Sequence, residues 1–499
     1  MKKLQRSIVV LLFCLCAFGA AATNLVYHIA FQPAAHYINV ELTASDLSSS
    51  QTLFKMPVWA PGYYLILDYP KNMVDFQVTD ASGKNIEWTK VGKNGWLVKN
   101  GKQSIIKVAY RIYANAQSVA ESMVTADKAF VAPNGVYLYV EKEKQTPVTI
   151  TFEPASNWTK ISTGLDPVTG QNNTFRASDI DNLYDCPVFL GNQRTIDFVL
   201  NNRSYQLALE TPEGLENTTF VSDIKKMIAE ATNLFGDAPY NHYSFLLMGE
   251  GRGGLEHINS QASFSDGSFN FDSHAGYIRF LSFVTHEFFH LYNVKSIRPV
   301  ELGPFDYDRE VYTPSLWISE GFTVYYETAL LRRAGIISSD EVLNALGEFT
   351  KAVEGKEGRH HMSLRTSSYD IWLNFFNRNA NGADTRISYY DKGPILGLLM
   401  DINIRQLTNN KKSLDDVMRT LYNVYYNQQK RGFTEEEFWS VCAEVAGSPL
   451  TDMRRYVDTT CDIDYARYLG YAGLTLGSDL QLHKTSCDGL AKKIQNSIL

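Results

Sequence analysis

His286-Glu287-Phe288-Phe289-His290 is the stretch whose residue types and spacing most clearly suit chemistry. The apolar residues around it (Phe280, Leu281, Phe283, Val284 and Leu291) recur at helical spacing, which predicts a buried helix across the motif. On such a helix the two histidines stand one turn apart on one face, and both imidazoles reach a single ion. Glu287 lies about 100° further round, beside that ion, where it can take a proton from a water. Two neutral nitrogen donors suit Zn²⁺, one ion per chain, and a catalytic zinc needs a third protein ligand and an open position.

Glu320 is the candidate third ligand. Thr313-Pro314 read as a cap and first-turn proline of a second helix that continues through Trp317-Ile318-Ser319-Glu320-Gly321-Phe322-Thr323-Val324-Tyr325-Tyr326. A carboxylate in so apolar a stretch is seldom buried without a partner, whereas a surface charge is the plainer reading. Gly321 beside it permits close packing. A helix hairpin would bring Glu320 under His286 and His290.

Two regions must position these residues. From Thr23 to about Arg203 the sequence alternates in short segments such as Tyr37 to Leu42, Gly95 to Val98, Ile105 to Ile112 and Pro147 to Phe152. Pro61-Gly62 and Ser82-Gly83 serve as turns, and the whole predicts a β-sandwich-like domain. Its aromatic clusters, including Trp59 and Tyr63-Tyr64, read as core. After Ser204 the period changes. Ser222 is placed as the cap of a helix running to Leu234, Tyr243 to Met248 as a buried strand, and long helices dominate from Phe280 to about Ala446, with Thr434 and Glu437 forming a capping box. The fold class is therefore α+β and multidomain. The divisions are 23–203 for the β domain, 204–335 for the metal-bearing region, 336–474 for a helical C-terminal part and 475–499 for a short tail.

Composition narrows the function. The chain has 499 residues, 44% apolar and 20% charged, enough for large cores. A net charge of -7 argues against a general nucleic-acid binder. No apolar run of membrane-spanning length follows the first 25 positions. Lys2, Lys3 and Arg6 precede an apolar run from Ile8 to Phe18 and small residues from Gly19 to Ala22, the order of a secretory signal peptide over residues 1–22. The expectation is export to a periplasmic or extracellular location. Cys186, Cys442, Cys461 and Cys487 lie beyond that segment and fit no metal knuckle or CxxC motif. A Cys442–Cys461 disulfide and free buried thiols both remain open.

At this point the sequence resembles the M61 peptidases, the glycyl aminopeptidase family. HEFFHLYNVKSIRP followed by LWISEGFTVYY carries the likeness. It extends to Gly253-Gly254-Leu255-Glu256-His257, to Ser388-Tyr389-Tyr390-Asp391-Lys392-Gly393 and to Trp59-Ala60-Pro61-Gly62-Tyr63-Tyr64. The resemblance implies a gluzincin with a thermolysin-like, mainly helical catalytic region, in which His286, His290 and Glu320 are zinc ligands and Glu287 is the general base. It places Gly253, Gly254, Glu256 and His257 on a strand that pairs with substrate backbone, with Glu256 holding the free α-amine. Tyr390 becomes the donor to the oxyanion. Family members often continue into a PDZ domain after a Y-x-G-L segment; here 25 residues follow Leu474, so a complete PDZ module is not expected.

The chemistry supports those roles. Zinc polarises a carbonyl and acidifies water, a carboxylate relays the proton, and a phenol opposite the metal stabilises an oxyanion. The blander readings stay open: Glu256 as an exposed strand charge, Tyr390 as a core or helix-end tyrosine and His257 as an ordinary hydrogen-bonded histidine. Lys295 and Arg298 read as caps of the motif helix, and the adjacent pair His360-His361 as surface. The leading function is a zinc aminopeptidase removing Gly or Ala from peptides with a free N-terminus. The alternatives are an endopeptidase of the same fold, or a non-catalytic peptide-binding protein with a vestigial metal site.

Overall fold

The computed structural model describes residues 23–47, 49–210, 218–265, 271, 273–374 and 382–499. Residues 1–22, read from the sequence as a signal peptide, lie outside the described residues.

Alternating sequence becomes alternating burial in the N-terminal half. In Tyr37–Ser45 the residues Ile38, Val40, Leu42 and Ala44 point inward, and in Ile105–Tyr113 the residues Ile106, Val108, Tyr110 and Ile112 do the same. These strands form the middle of a seven-stranded sheet ordered Asp166–Pro167, Thr174–Ala177, Val148–Glu153, Asn24–Gln32, Tyr37–Ser45, Ile105–Tyr113, Met73–Asp80. A four-stranded and a five-stranded sheet, the latter built from strands between Asn115 and Gly191, complete the β-rich half around one apolar core. The α+β multidomain expectation holds.

The second half is built on another five-stranded sheet, ordered Arg194–Leu200, Arg203–Leu209, His242–Glu250, Ser260–Ser265, Gly254–Glu256, with helices packed on it. This corrects the division at 203/204. The hairpin Arg194–Leu200/Arg203–Leu209 pairs with His242–Glu250, so the C-terminal sheet starts about ten residues before the sequence period changes. A solvent-facing edge hairpin alternates like the strands before it, which hides the boundary. The helix assigned to start after Ser222 runs over Thr218–Phe235, because Phe220 is also wholly buried. The second-helix start at Thr313 is likewise early: its hydroxyl accepts only from Ser315 N, and helical structure begins at Leu316. The Thr434–Glu437 capping box forms as read.

All four described cysteines are free, so the Cys442–Cys461 pairing is not made; Cys442 is buried among helices and Cys461 lies in the stretch after helix Thr451–Asp458. The tail packs on the body. Leu474–Leu476 and Leu482–Lys484 form a hairpin, helix Gly489–Ile498 follows, and Leu499 O accepts from Arg332 and Ser339. Among the described residues no helix is long and apolar enough to cross a membrane.

Candidate active site

The motif helix His274–Phe289 begins at Ser273, whose hydroxyl accepts from Gly276 N. Its orientation follows from which side chains it buries. Phe288 stacks on Phe245 of the sheet, while Phe289 stacks on Tyr326 of helix Phe322–Arg333. With those faces committed, His286 and His290 turn towards the segment carrying Glu320.

That segment, Trp317–Gly321, is a single wide π-helical turn. Such turns displace backbone carbonyls from their usual partners and recur at functional sites. Asn293, wholly buried just past the motif helix, donates from Nδ2 to Ile318 O (2.8 Å), Ser319 O (3.0 Å) and Thr323 Oγ1 (3.1 Å), pinning the wide turn against the motif. On the other side helix Tyr389–Leu407 crosses at Gly321 and Gly393. A Cβ on either glycine would lie 2.5 Å from the Cα of the other, so only glycine permits this crossing. The crossing delivers Tyr390 to the site: its ring centre is 6.3 Å from that of His286.

Three electron-pair donors meet here. His286 Nε2 and His290 Nε2 are 3.0 Å apart, and Glu320 Oε2 lies 3.5 and 3.2 Å from them. The other ring nitrogens fix the tautomers. His290 Nδ1 is 2.7 Å from Asn293 O, which can only accept, so Nδ1 carries the hydrogen and Nε2 a lone pair. His286 Nδ1 is 2.8 Å from Glu327 Oε2, with the same consequence. Two lone pairs and a carboxylate oxygen without a hydrogen-bond partner thus face one another in a buried space. The donor set and its tautomers fit a divalent cation of borderline softness such as zinc. The same demand for positive charge shows in proton affinity. Burial favours neutral rings, but Glu320 and Glu327 outweigh it and raise His286 far above its ordinary value, and Glu320 likewise raises His290.

Glu287 is buried beside the cluster, and burial pushes its carboxyl up to about 7 despite the opposing histidines. Gly254 makes room for it, since a Cβ there would overlap the Glu287 carboxylate. Gly254–Glu256 is the edge strand of its sheet, paired among the described residues only to Ser260–Ser265, so its other edge is the one an extended chain would pair with. Glu256 ends that strand 7% exposed and pairs with no described side chain. Its carboxylate packs on Gly62 of the β-rich half, where a Cβ would lie 2.7 Å from Oε1; Gly62 also has φ +86°, which glycine adopts without strain. Tyr64 of the same loop is buried edge-on to Trp372, close enough to Glu320 and Glu256 that both add to the burial that raises its hydroxyl. Burial and the same two carboxylates hold Tyr390 protonated as a donor.

The structure brings together His286, Glu287, His290, Glu320, Glu256, Gly254 and Tyr390. Gly253, at φ +89°, makes the turn into the edge strand. His257 follows the edge strand, and its Nδ1 is 3.0 Å from Asp185 Oδ1, the contact of a hydrogen-bonded histidine. Glu327, Asn293 and Tyr64 are positions at the candidate site that the sequence reading missed. Glu327 carried a usable signal: it is a second carboxylate two turns beyond Glu320 on the same apolar helix.

Comparison with known proteins shows the family and the fold. The Peptidase M61 N-terminal domain matches residues 26–192, and the M61 glycyl aminopeptidase domain matches 279–396. No curated protein matches the chain. A solved aminopeptidase N family protein from Idiomarina loihiensis is 27% identical, with TM-score 0.84, over 90% of this chain and 78% of that one. An M1 zinc metallopeptidase from Deinococcus radiodurans shares the fold at 12% identity, with TM-score 0.54, over 89% of this chain and 96% of that one. A mutant of the latter, solved with a Tyr-Ser-Ala substrate, gives TM-score 0.55 at 12% identity, over 89% and 95% of the two chains. With both halves matched by the domains of one family, and the histidine pair falling inside the second match, the chain belongs to the M61 peptidases.

Proposed function

We propose that this peptidase is a zinc aminopeptidase that removes small residues, glycine or alanine, from the free N-termini of peptides, and that it works after export. One observation carries the reading. Glu256 is a buried carboxylate without a partner among the described residues, near enough to His290 and Glu287 to bear on their proton affinities, and at the end of an edge strand. A buried unpaired charge is costly, and an α-ammonium is the cation that would satisfy it where a peptide laid along Gly254–Glu256 begins. Gly62, Tyr64 and Trp59 close the space around Glu256 to a void of about 20 Å³, room for little more than one water or one methyl group. That size supports the preference for glycine and alanine.

His286, His290 and Glu320 would hold the metal. When bound, zinc supplies Lewis acidity to the scissile carbonyl and to water. The protein supplies the rest. Glu287 takes a proton from the attacking water at its carboxylate and returns it to the departing amine; a carboxyl near 7 is suited to both directions. Tyr390 donates its hydroxyl hydrogen to the carbonyl oxygen as negative charge builds there. Glu327 and the Asn293 carbonyl keep the imidazoles in the ligating tautomer. Export rests on the order of basic, apolar and small residues in 1–22.

The test compares glycyl, alanyl and leucyl reporters, and N-acetylated versions of each, on wild type and Glu256→Gln. The expected result is cleavage of free glycyl and alanyl substrates, no cleavage of acetylated ones, and loss of most activity in the variant. Equal cleavage of blocked and free substrates refutes the aminopeptidase role and makes the enzyme an endopeptidase. Zinc binding with no turnover of any peptide refutes catalysis itself.

A further inference from the structure

Lys295 and Arg298 follow the metal motif, but neither caps its helix as their position suggested. Lys295 Nζ reaches Asp185 Oδ1 at 2.5 Å. The Arg298 side chain makes no hydrogen bond or ion pair with any described residue; its guanidinium carbon lies 5.7 Å over the Phe305 ring. Both line a half-open cavity of about 520 Å³ between the β-rich half and the helical half, separate from the metal cleft.

The hydrogen-bonding capacity of this cavity is one-sided. Three carboxylates border it, and each is engaged. Asp179 Oδ1 caps a short helix by accepting from Asn182 N at 2.8 Å, and Asp181 Oδ1 accepts from Tyr307 Oη at 2.5 Å. Asp185 receives Lys295, His257 and Ile258 N. Arg431 is taken up by Glu437. Donors are left over. The Arg298 fork is unpaired, and Lys430 at the rim has only the Tyr426 ring, 5.6 Å away. Asn134, from the β-rich half, is 4% exposed and its Nδ2 is shut off from solvent without a hydrogen-bond partner. Of these donors the Asn134 amide is the buried one, and a buried donor left unmatched is rare because nothing replaces the water it lost.

We propose that the cavity is a binding site for a small organic carboxylate. Arg298 would grip it through two parallel N–H bonds, as a planar guanidinium on an aromatic face is shaped to do. Lys430 and the Asn134 amide would complete its hydrogen bonds. A single negative charge fits and a double one does not, because Asp179, Asp181 and Asp185 stand around the same space. Such a ligand joins Asn134 of the β-rich half to Arg298 of the helical half. Pro61, Lys295, Arg298 and Phe305 also wall the void beside Glu256, so occupancy would stiffen the closed end of the cleft.

Benzoate is the probe, and its neutral isostere benzamide the control, titrated calorimetrically into zinc-loaded full-length protein. The expected result is saturable benzoate binding, at least tenfold weaker benzamide binding, tenfold or greater weakening in Arg298→Met and several-fold weakening in Lys430→Ala. The second variant changes only an exposed rim residue, so a folding defect in the first does not mask the answer. Benzoate binding that is unaltered in both variants places the acid elsewhere, the metal included, and overturns the proposal, as does absence of binding. Inorganic phosphate binding more tightly than benzoate overturns the assignment to a singly charged carboxylate.

Discussion

Glu327 touches no substrate, yet its removal should be felt at the metal. Its Oε2 lies 2.8 Å from His286 Nδ1, and this contact sets both the tautomer and the tilt of the ring. In Glu327→Ala the ring loses its acceptor and the neighbouring charge that makes Nε2 more basic. Partners of this kind are worth about tenfold to a hundredfold in metal affinity, or about 1.4 to 2.7 kcal/mol. Glu327→Gln keeps an acceptor but not the charge, and falls at the lower end of that range. His290 offers the internal comparison, since its partner is the Asn293 carbonyl, which no side-chain change deletes. The assay is zinc affinity by competition with a chromogenic chelator at pH 8, where proton competition at the imidazoles is smallest, with far-ultraviolet circular dichroism to confirm the fold. The order expected is wild type, then Glu327→Gln, then Glu327→Ala, with Glu320→Ala weakest. Wild-type affinity in Glu327→Ala would show that helix packing alone orients His286 and would refute the reasoning.

Glu287→Gln should retain zinc, measured by metal analysis, while peptide hydrolysis falls by several orders of magnitude, because the proton relay is lost and the ligands are not. Tyr64→Ala should widen the space beside Glu256 and raise the leucyl-to-glycyl ratio of kcat/KM by roughly 10- to 200-fold, the usual worth of added apolar room; an unchanged ratio removes Tyr64 from the pocket. Burial lowers the Lys392 ammonium from 10.5 to about 8, so between those values the unfolded chain binds more protons than the folded one and stability rises with pH. Lys392→Met should flatten that rise and add on the order of 3 kcal/mol at pH 7, read by denaturant melts across pH 7 to 10.5; a parallel rise in the variant contradicts it.

The sequence was most legible where one residue type has few uses. A His pair at helical spacing and a lone carboxylate in an apolar helix are both hard to place without a metal, and the structure brings them together. Alternation predicted the strands well because each has one wet face and one dry. Legibility failed where the deciding contact is remote. The hairpin Arg194–Leu200/Arg203–Leu209 alternates like its predecessors and joins the other sheet only through partners forty residues on. His257 sits beside a cleft residue in sequence, but its ring is engaged by Asp185 of the β-rich half, a partner seventy-two positions earlier. Tyr64 reads as core because it is core; what links it to the candidate site is that its ring closes the space beside a carboxylate almost two hundred positions later.

The cleft's charges explain why these distant pieces must meet. Glu256, Glu287, Glu320 and Glu327 surround only two imidazoles, and three of the four are nine-tenths or more buried. Such a cluster is unstable alone, as the raised carboxyls of Glu287 and Glu327 and the raised imidazoles show. A dication among His286, His290 and Glu320, together with an ammonium at Glu256, would nearly balance it. Metal and substrate amine then share one electrostatic field, and each lowers the cost of the negative charge that the other must face. An acetylated N-terminus brings no cation and leaves Glu256 buried and unmatched. On the proposed reading, selectivity for free amino termini would be set by the charge left over once a metal is in place, and the glycine at position 62 lets the β-rich half pack against that carboxylate.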